Sequence, residues 1–141
     1  MAELSSETIH ASCVAIDGRA LLIEGASGDG KSDLALRLID RGATLVSDDY
    51  TVCQRHDGVL LASPPPNIAG KIEVRGVGIV EVDYVAQMPV ALMVRIFDHP
   101  PRLPDPTLRR IGGVEIPVIM LPALEASAPI KAEIALRSIG R

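Results

Sequence analysis

Residues 25–32 have the spacing most indicative of chemistry in this chain, because they complete the phosphate-binding pattern G-x-x-x-x-G-K-[ST]. Glycines let backbone N–H groups curl around an anion, and the helix expected behind them adds positive partial charge from its N-terminus. Lys31 is the residue type that reaches the β- and γ-phosphates of a nucleotide, and the Ser32 hydroxyl is a ligand for Mg²⁺. The sequence therefore predicts nucleotide or phosphate binding. The predicted cofactor-binding residues are Gly25, Ala26, Ser27, Gly28, Asp29, Gly30, Lys31 and Ser32.

Two flanking segments must hold this loop in place. The apolar run 20–23 before it predicts a strand, and residues 33–41 after it predict a helix that places Leu34 and Leu38 on one face. Gly42 is a natural end for that helix. A phosphate-binding pattern between a strand and a helix is the context in which it works as a site.

A pair of carboxylates, Asp48 and Asp49, follows the apolar strand predicted to begin at Ala43. Acids at the carboxyl end of a strand lie on the edge where open α/β sheets bind ligands. Three roles stay open from the residues alone: ligating Mg²⁺ directly or through water, accepting a proton from a substrate hydroxyl, or forming a turn without chemistry. Strand, phosphate loop, helix and acid-tipped strand together are typical of the nucleotide-handling half of a P-loop kinase.

His10 precedes an apolar stretch, residues 11–16, that turns at Asp17-Gly18 and continues into the strand over 20–23. Asp-Gly between two apolar runs predicts a β-hairpin. The start of the first strand and the end of the second are neighbours in such a hairpin, so His10 is predicted to lie near the phosphate loop. A surface or capping role for this histidine stays open at this point.

Glu73 and Arg75 share one face of a further predicted strand. Ile72 and Val74 alternate with them on the other face, and the glycines that follow break the pattern. Taken alone, an acid and a base side by side are typical of a surface ion pair.

Other segments are predicted to build the scaffold. Residues 89–97 are a near-continuous apolar run, which predicts a strand in the middle of a sheet. The proline-rich segment 98–106 predicts irregular structure. We further predict a hairpin over 51–61 with His56 at its tip, a loop over 63–67, a hairpin or edge strand over 111–122, and a helix over 128–139 that packs on the sheet through the spacing of Ile130, Ile134, Ala135 and Ile139.

Length and composition favour one domain over residues 1–141. With two Tyr, one Phe and no Trp, its core must consist of aliphatic side chains. We therefore predict an α/β fold, a P-loop kinase-like domain with a mixed β-sheet flanked by helices. Cys13 and Cys53 lie in apolar stretches and are predicted to be buried thiols, which fits a reducing cytoplasm.

Charge and hydropathy argue against several classes of partner. The net charge of −4, the sequence pI near 5.3 and the scattered Lys and Arg residues argue against nucleic acid. No apolar run approaches the roughly 18 residues that a membrane span needs. The first ten residues lack the basic and apolar layout of a signal peptide. We expect a soluble, unprocessed, cytoplasmic protein that does not bind membranes.

Three separated stretches resemble one family, the HPr kinase/phosphorylases, which modify a serine of the bacterial phosphocarrier protein HPr. The first runs from His10 to Asp49, the second is Ile-Glu-Val-Arg-Gly-Val-Gly-Ile at 72–79, and the third is Ile-Gly-Gly-Val at 111–114. A phosphate loop is generic, whereas the second string at this distance downstream is specific to that family. The resemblance covers nearly the whole chain and is to the catalytic domain alone, so we expect a short form without the family's N-terminal domain.

The resemblance implies catalytic roles for several residues. His10 matches the family's active-site histidine, Lys31 its loop lysine, and Asp49 the carboxylate that takes the serine proton. Asp48, together with His10, is expected to hold geometry or support that base. Arg102 matches the family's catalytic arginine, although the usual glycine two residues later is proline here.

The resemblance also implies metal ligands and a direction of reaction. Ser32 and Glu73 match the magnesium ligands. Where the family carries an R-P-G-R segment linked to dephosphorylation, residues 123–127 read Ala-Leu-Glu-Ala-Ser. Two positive charges that could hold a phosphate are therefore missing, which favours the kinase activity over dephosphorylation.

The predicted function is transfer of the γ-phosphoryl group of ATP, with Mg²⁺, to a serine of an HPr-type carrier. The family's hexamers imply that this chain also forms a homo-oligomer. Two alternatives are a P-loop kinase of a small metabolite and a nucleotide-sensing module with little catalysis. The first predicts turnover without a protein acceptor, and the second predicts that ATP survives incubation with any acceptor.

Overall fold

The computed structural model describes residues 5–26 and 28–139. Its helices are α1 (Lys31–Asp40) and α2 (Ala128–Ser138), with a 3₁₀ turn at Pro66–Ile68. Its strands are β1 (Ser6–Ile9), β2 (Ala11–Ile16), β3 (Arg19–Glu24), β4 (Thr44–Ser47), β5 (Thr51–His56), β6 (Val59–Ser63), β7 (Lys71–Val74), β8 (Gly78–Glu81), β9 (Met88–Ile96), β10 (Thr107–Ile111) and β11 (Val114–Leu121). The predicted α/β class is confirmed.

Nine of the described strands form one mixed sheet. They run in the order β1-β5-β6-β9-β3-β2-β4, with β11 beside β9 and β10 beside β11. β3 and β11 are parallel to β9, whereas β2 is antiparallel to both β3 and β4. β9 thus lies mid-sheet, as its continuous apolar run predicts. β7 and β8 pair as a separate hairpin.

Both helices contribute to one hydrophobic cluster with the sheet. Leu34, Ala35 and Leu38 of α1 are fully buried there, as the helical spacing predicts. They pack in one cluster with strand residues such as Ile23, the last apolar residue before the phosphate loop. Burying each large aliphatic side chain stabilises the fold by roughly 1.5–3 kcal/mol. The core therefore anchors the strand before the loop and the helix after it.

A second cluster, lined by strands, contains both cysteines. Cys13 of β2 and Cys53 of β5 are free, fully buried thiols among aliphatic side chains, which confirms the prediction. Burial raises the pKa of the Cys13 thiol well above its ordinary value and that of Cys53 to about 12. Both therefore stay protonated and act as small apolar groups.

The C-terminal helix forms as predicted, but the predicted buried face is wrong in part. Ile130 and Ile134 are exposed, at 43% and 60%. The buried stripe consists of Ala128, Ala132 and Leu136, spaced at four residues. Two alanines on this stripe let the helix backbone approach the core closely, which bulky isoleucines would prevent.

Most turns and irregular segments agree with the sequence predictions. The prediction of a hairpin or edge strand over 111–122 is wrong in part, because the hairpin begins at Thr107 and β11 pairs with both β10 and β9. The β2–β3, β5–β6 and β10–β11 hairpins all form, and His56 at the tip of the second is exposed. Residues 97–106 contain no helix or strand and are mostly exposed. Within the described residues, neither helix is long and apolar enough to cross a membrane.

Candidate active site

The order of the strands brings the predicted site residues to one edge of the sheet. β3 ends at Glu24 and leads into the phosphate loop, and β4 ends at Ser47 and leads into Asp48. β2 lies between them and runs in the opposite direction, so its first residue follows His10 at the same edge. Residues that are distant in sequence therefore become neighbours.

The phosphate loop is organised by its own backbone. The Asp29 N–H donates to the Ala26 carbonyl at 3.0 Å, and the Ala26 N–H donates to the Asp29 carboxylate at 2.9 Å. Gly28 and Gly30 have φ of 87° and 98°, which glycine adopts without strain. At Gly25 a side chain would meet Ile96 at 3.2 Å. The predicted binding residue at position 27 lies outside the described residues.

Lys31 begins α1 and is only 5% exposed. Its ammonium donates to the Ala26 carbonyl at 3.3 Å and lies 3.7 Å from Asp49 Oδ1. An ammonium held between the loop and a carboxylate is available to an anion bound in the loop.

Asp48 is a buried carboxylate, 7% exposed, whose oxygens are engaged by protein donors. Its Oδ1 accepts hydrogen bonds from the hydroxyls of Ser12, at 2.9 Å, and Ser32, at 2.6 Å. Its Oδ2 accepts the backbone N–H of Glu73 at 2.9 Å. Asp48 thus ties the phosphate loop to β2 and β7, and it orients the Ser32 hydroxyl.

Asp49 is placed differently, because its side chain is 51% exposed. The Tyr50 N–H donates to the Asp48 carbonyl at 2.7 Å, which closes a three-residue γ-turn centred on Asp49 with φ of 67°. The Asp49 N–H donates to the Ser12 hydroxyl at 3.0 Å, and Asp49 Oδ1 lies 2.9 Å from His10 Nε2. A strained backbone held by surrounding bonds presents this carboxylate at the surface.

His10 is fixed from two sides. Its Nε2 contacts Asp49, and its ring stacks on Tyr50 with centroids 4.8 Å apart and planes 19° apart. Stacking limits the rotation of the imidazole, so the ring stays directed at the carboxylate. The predicted proximity of His10 to the phosphate loop is confirmed by the β2–β3 hairpin, in which Ala11 pairs with Glu24 at the start of the loop.

A cavity of about 350 Å³ lies beside the phosphate loop and Asp49. Its described lining residues are Gly28, Gly30, Lys31, Ser32, Asp33, Leu36, Asp49, Glu73, Val74, Arg75 and Leu124. A volume in this range is typical of a small-molecule site.

The cavity also fits a magnesium ion bound with phosphates. The Ser32 hydroxyl and the Glu73 carboxylate line the same cavity, and Mg²⁺ prefers oxygen ligands. The described residues contain no group of three or more His, Cys, Asp or Glu that could form an all-protein cage. Mg²⁺ is commonly held by one or two protein ligands together with substrate phosphates and water, and Ser32 and Glu73 are candidates for those ligands.

Of the predicted catalytic residues, only Arg102 lies apart from this cluster. It is exposed in the segment 97–106 and is not among the residues that line the cavity. The segment 97–106 begins beside the phosphate loop, because Phe97 and His99 line a second depression together with Asp29. The role of Arg102 stays a prediction.

Ser12 is a site residue that the sequence prediction missed. It is fully buried and contacts both aspartates, donating to Asp48 and accepting from the backbone of Asp49. Ser12 carries a hydroxyl in the otherwise apolar strand β2. This pattern could have indicated a hydrogen-bonding role, because buried polar groups require partners. Its partners depend on β2 lying beside β4, which the sequence alone does not show.

Comparison with known proteins identifies relatives of this chain. A family model described as the HPr serine kinase C-terminal domain matches residues 2–88. HPr kinase/phosphorylases from Clostridium botulinum and Exiguobacterium sibiricum are 44% and 45% identical over 81 and 83 residues, which is 57% of this chain. The chain spans only 27% of the length of these curated relatives.

A solved structure resembles the fold over nearly its full extent. The structure of the Hpr(Ser) kinase/phosphatase from Coxiella burnetii aligns with a TM-score of 0.83 and 31% identity, covering 94% of this chain and 95% of that chain. The likeness includes the downstream part of the chain that the family model leaves out.

Proposed function

This chain belongs to the HPr kinase/phosphorylase family, and from that premise we propose that it transfers the γ-phosphoryl group of ATP to a serine hydroxyl of an HPr-type phosphocarrier protein. The observation that carries the proposal is the placement of Asp49. Its carboxylate is half exposed, lines the cavity beside the phosphate loop, and lies 3.7 Å from the Lys31 ammonium. A base that an acceptor can reach, next to a phosphate site, is what transfer to a hydroxyl requires.

The phosphate loop and Lys31 would bind the triphosphate. Backbone N–H groups at residues 28–32 and the N-terminus of α1 offer a positive environment, and the buried Lys31 ammonium adds a full charge. Ser32 and Glu73 would hold Mg²⁺, which when bound offsets charge on the β- and γ-oxygens. Asp48 keeps the Ser32 hydroxyl directed into this region through the 2.6 Å bond.

Asp49 would accept the proton of the serine hydroxyl. The serine oxygen then forms a bond to the γ-phosphorus, the bond to the bridging β-oxygen breaks, and ADP leaves with that electron pair. His10, at 2.9 Å, would orient the Asp49 carboxylate. We assign charge stabilisation on the transferred group to Lys31 and, from the segment 97–106, to Arg102.

The kinase direction is favoured by the segment after β11. Residues 123–127 contain no Lys or Arg, so they offer no cationic side chain that could hold a phosphate for the dephosphorylation reaction. We propose that dephosphorylation of the carrier is weak or absent. We further propose that the protein acts in the cytoplasm as a homo-oligomer, and light scattering would test the predicted hexamer.

The test is incubation of the protein with γ-labelled ATP, Mg²⁺ and a purified HPr-type carrier. We expect label on the carrier that survives acid, because a serine phosphate ester is acid-stable. A carrier in which the acceptor serine is alanine should stay unlabelled. Lys31→Ala should abolish transfer and weaken nucleotide binding. Nucleotide binding without any label on the carrier would contradict the proposal.

A further inference from the structure

One part of the cavity is aliphatic and is not used by the chemistry above. Leu36 of α1 and Val74 of β7 are half-buried there, and Leu124 is 77% exposed. A leucine this exposed keeps most of its apolar surface in contact with water. Covering that surface with a ligand is favourable, because it removes apolar area from water.

Leu124 is nevertheless held in place by its neighbours. Arg37 of α1 donates to the carbonyls of Ala123 and, at 3.1 Å, Glu125, so the backbone on both sides of Leu124 is tied to the helix. Asp33 fixes the Arg37 guanidinium with a bond of 2.9 Å. A side chain at Gly30 would meet Leu124 Cδ2 at 3.4 Å, so this leucine lies directly against the end of the phosphate loop.

The position of this aliphatic part follows the direction of a bound nucleotide. Ser32 and Leu36 are four residues apart on α1, so Leu36 lies one turn, roughly 6 Å, farther along the same helix face. If the loop amides bind the phosphates, the remainder of a nucleotide would lie in the part of the same cavity beyond that first turn. Leu124 and Val74 come from separate segments that also line this cavity.

We propose that Leu36, Val74 and Leu124 form the subsite for the purine base of the nucleotide. This inference rests on the proposed function, because it assigns the non-phosphate half of the same ligand. A flat base covers the three aliphatic side chains and removes them from water.

The same residues imply little selection between bases. Of the described polar residues that line the cavity, Asp33 and Arg75 are the two with no role in the chemistry above, and Asp33 Oδ2 accepts a hydrogen bond from Arg37. Discrimination between purines depends on hydrogen bonds to the edge of the base, which aliphatic side chains cannot make. Mg-ATP and Mg-GTP are therefore expected to bind with affinities within about threefold of each other.

The test compares the binding of Mg-ATP, Mg-GTP and inorganic tripolyphosphate by calorimetry to the wild type and to Leu124→Ala. Leu124→Ala should weaken both nucleotides by about fivefold to tenfold and change the affinity for tripolyphosphate by less than twofold. Ile134→Ala, which truncates an exposed aliphatic side chain on α2, is the matched control and should change neither. Thermal unfolding of each variant checks the fold.

Any of four results would overturn the subsite. Equal weakening of nucleotide and tripolyphosphate would show that Leu124 supports the loop instead of the base, and unchanged nucleotide binding would show that the base lies elsewhere. If the wild type binds tripolyphosphate as tightly as ATP, the subsite fails while the phosphate site stands. If the wild type binds neither ligand, the proposed function fails as well.

Discussion

The surroundings of Asp48 differ from those of Asp49, although the two residues are consecutive. Asp48 is 7% exposed and accepts hydrogen bonds from two serine hydroxyls and one backbone N–H. The Asp49 side chain is 51% exposed and faces cationic or ionisable partners, Lys31 and His10. The γ-turn of residues 48–50, centred on Asp49, directs the Asp48 side chain inward and the Asp49 side chain outward.

From this difference we propose that Asp48 positions other groups and that Asp49 takes part in the chemistry. Asp48 accepts three hydrogen bonds from the protein, so its carboxylate serves to hold Ser32 and Glu73 of β7 in place. Asp49 keeps an accessible carboxylate that an acceptor can approach. A pair of acids in a sequence can thus divide into one structural and one reactive group, and burial decides which is which.

Asp49→Asn tests most directly whether Asp49 is the reactive member of the pair, and it has the largest expected effect. Asparagine tolerates the left-handed φ of 67° and matches aspartate in shape, so the backbone should stay in place. The change removes the proton acceptor, and kcat for carrier phosphorylation should fall about 100-fold to 10,000-fold. Label transfer from γ-labelled ATP measures this.

The Asp49→Asn result depends on nucleotide binding being retained. The Kd for Mg-ATP should change by less than about threefold, because the triphosphate site itself is intact. Lys31→Ala is the contrasting control and should lose binding as well as turnover. Normal turnover by Asp49→Asn would remove this residue from the role of base.

Asp48→Asn tests the structural member of the pair. The amide oxygen of the asparagine must accept the Glu73 N–H, so the amide nitrogen faces the two serine hydroxyls. Both hydroxyls, which donate to Asp48 in the wild type, must then rotate to accept hydrogen bonds from this nitrogen. We expect a loss of about 1–2 kcal/mol in the free energy of unfolding. Turnover should fall about tenfold to 100-fold because the Ser32 hydroxyl is reoriented.

The two asparagine variants together decide the comparison. Urea unfolding should show a lower free energy of unfolding for Asp48→Asn and almost no change for Asp49→Asn. Turnover should fall further in Asp49→Asn than in Asp48→Asn. If Asp49→Asn is the less stable of the two, the assignment of positioning and chemistry is wrong.

Much of this fold could be predicted from local sequence pattern. The Asp17-Gly18 hairpin, the helix after the phosphate loop and the apolar strand β9 each follow from residues within one segment. The buried face of α2 was predicted in part wrongly, because Ile130 and Ile134 satisfy helical spacing but the packing surface selects smaller side chains. Spacing alone does not say which face a neighbouring layer covers.

The candidate site was less predictable than the fold. The phosphate loop is a contiguous pattern and could be predicted directly. The Asp17-Gly18 hairpin predicts only that His10 lies near that loop, because its contact with Asp49 depends on β4 pairing with β2. Ser12 escaped prediction because its two partners lie 36 and 37 residues away, across a strand pairing that the sequence does not specify. Contacts of this kind depend on strand order, which is a property of the whole chain.

Ser12→Ala probes the link between the two aspartates. Ser12 is fully buried, so the change leaves only a small space but removes the acceptor of the Asp49 N–H and one donor to Asp48. We expect turnover to fall about threefold to tenfold with an unchanged Kd for Mg-ATP. Ser12→Thr keeps the hydroxyl and should restore most of the turnover. Equal turnover by the alanine and threonine variants would show that this hydroxyl does not position Asp49.

Tyr50 gives the smallest expected effect and tests how strongly the orientation of His10 matters to Asp49. The ring of Tyr50 stacks on His10 at 4.8 Å, and stacked aromatic pairs contribute roughly 0.5–1.5 kcal/mol. Only part of that energy bears on the rotation of the imidazole, so Tyr50→Ala should lower kcat about twofold to threefold. Tyr50→Phe keeps the stacking and should match the wild type. A phenylalanine variant as impaired as the alanine variant would assign the effect to the tyrosine hydroxyl, and orientation by stacking would then be wrong.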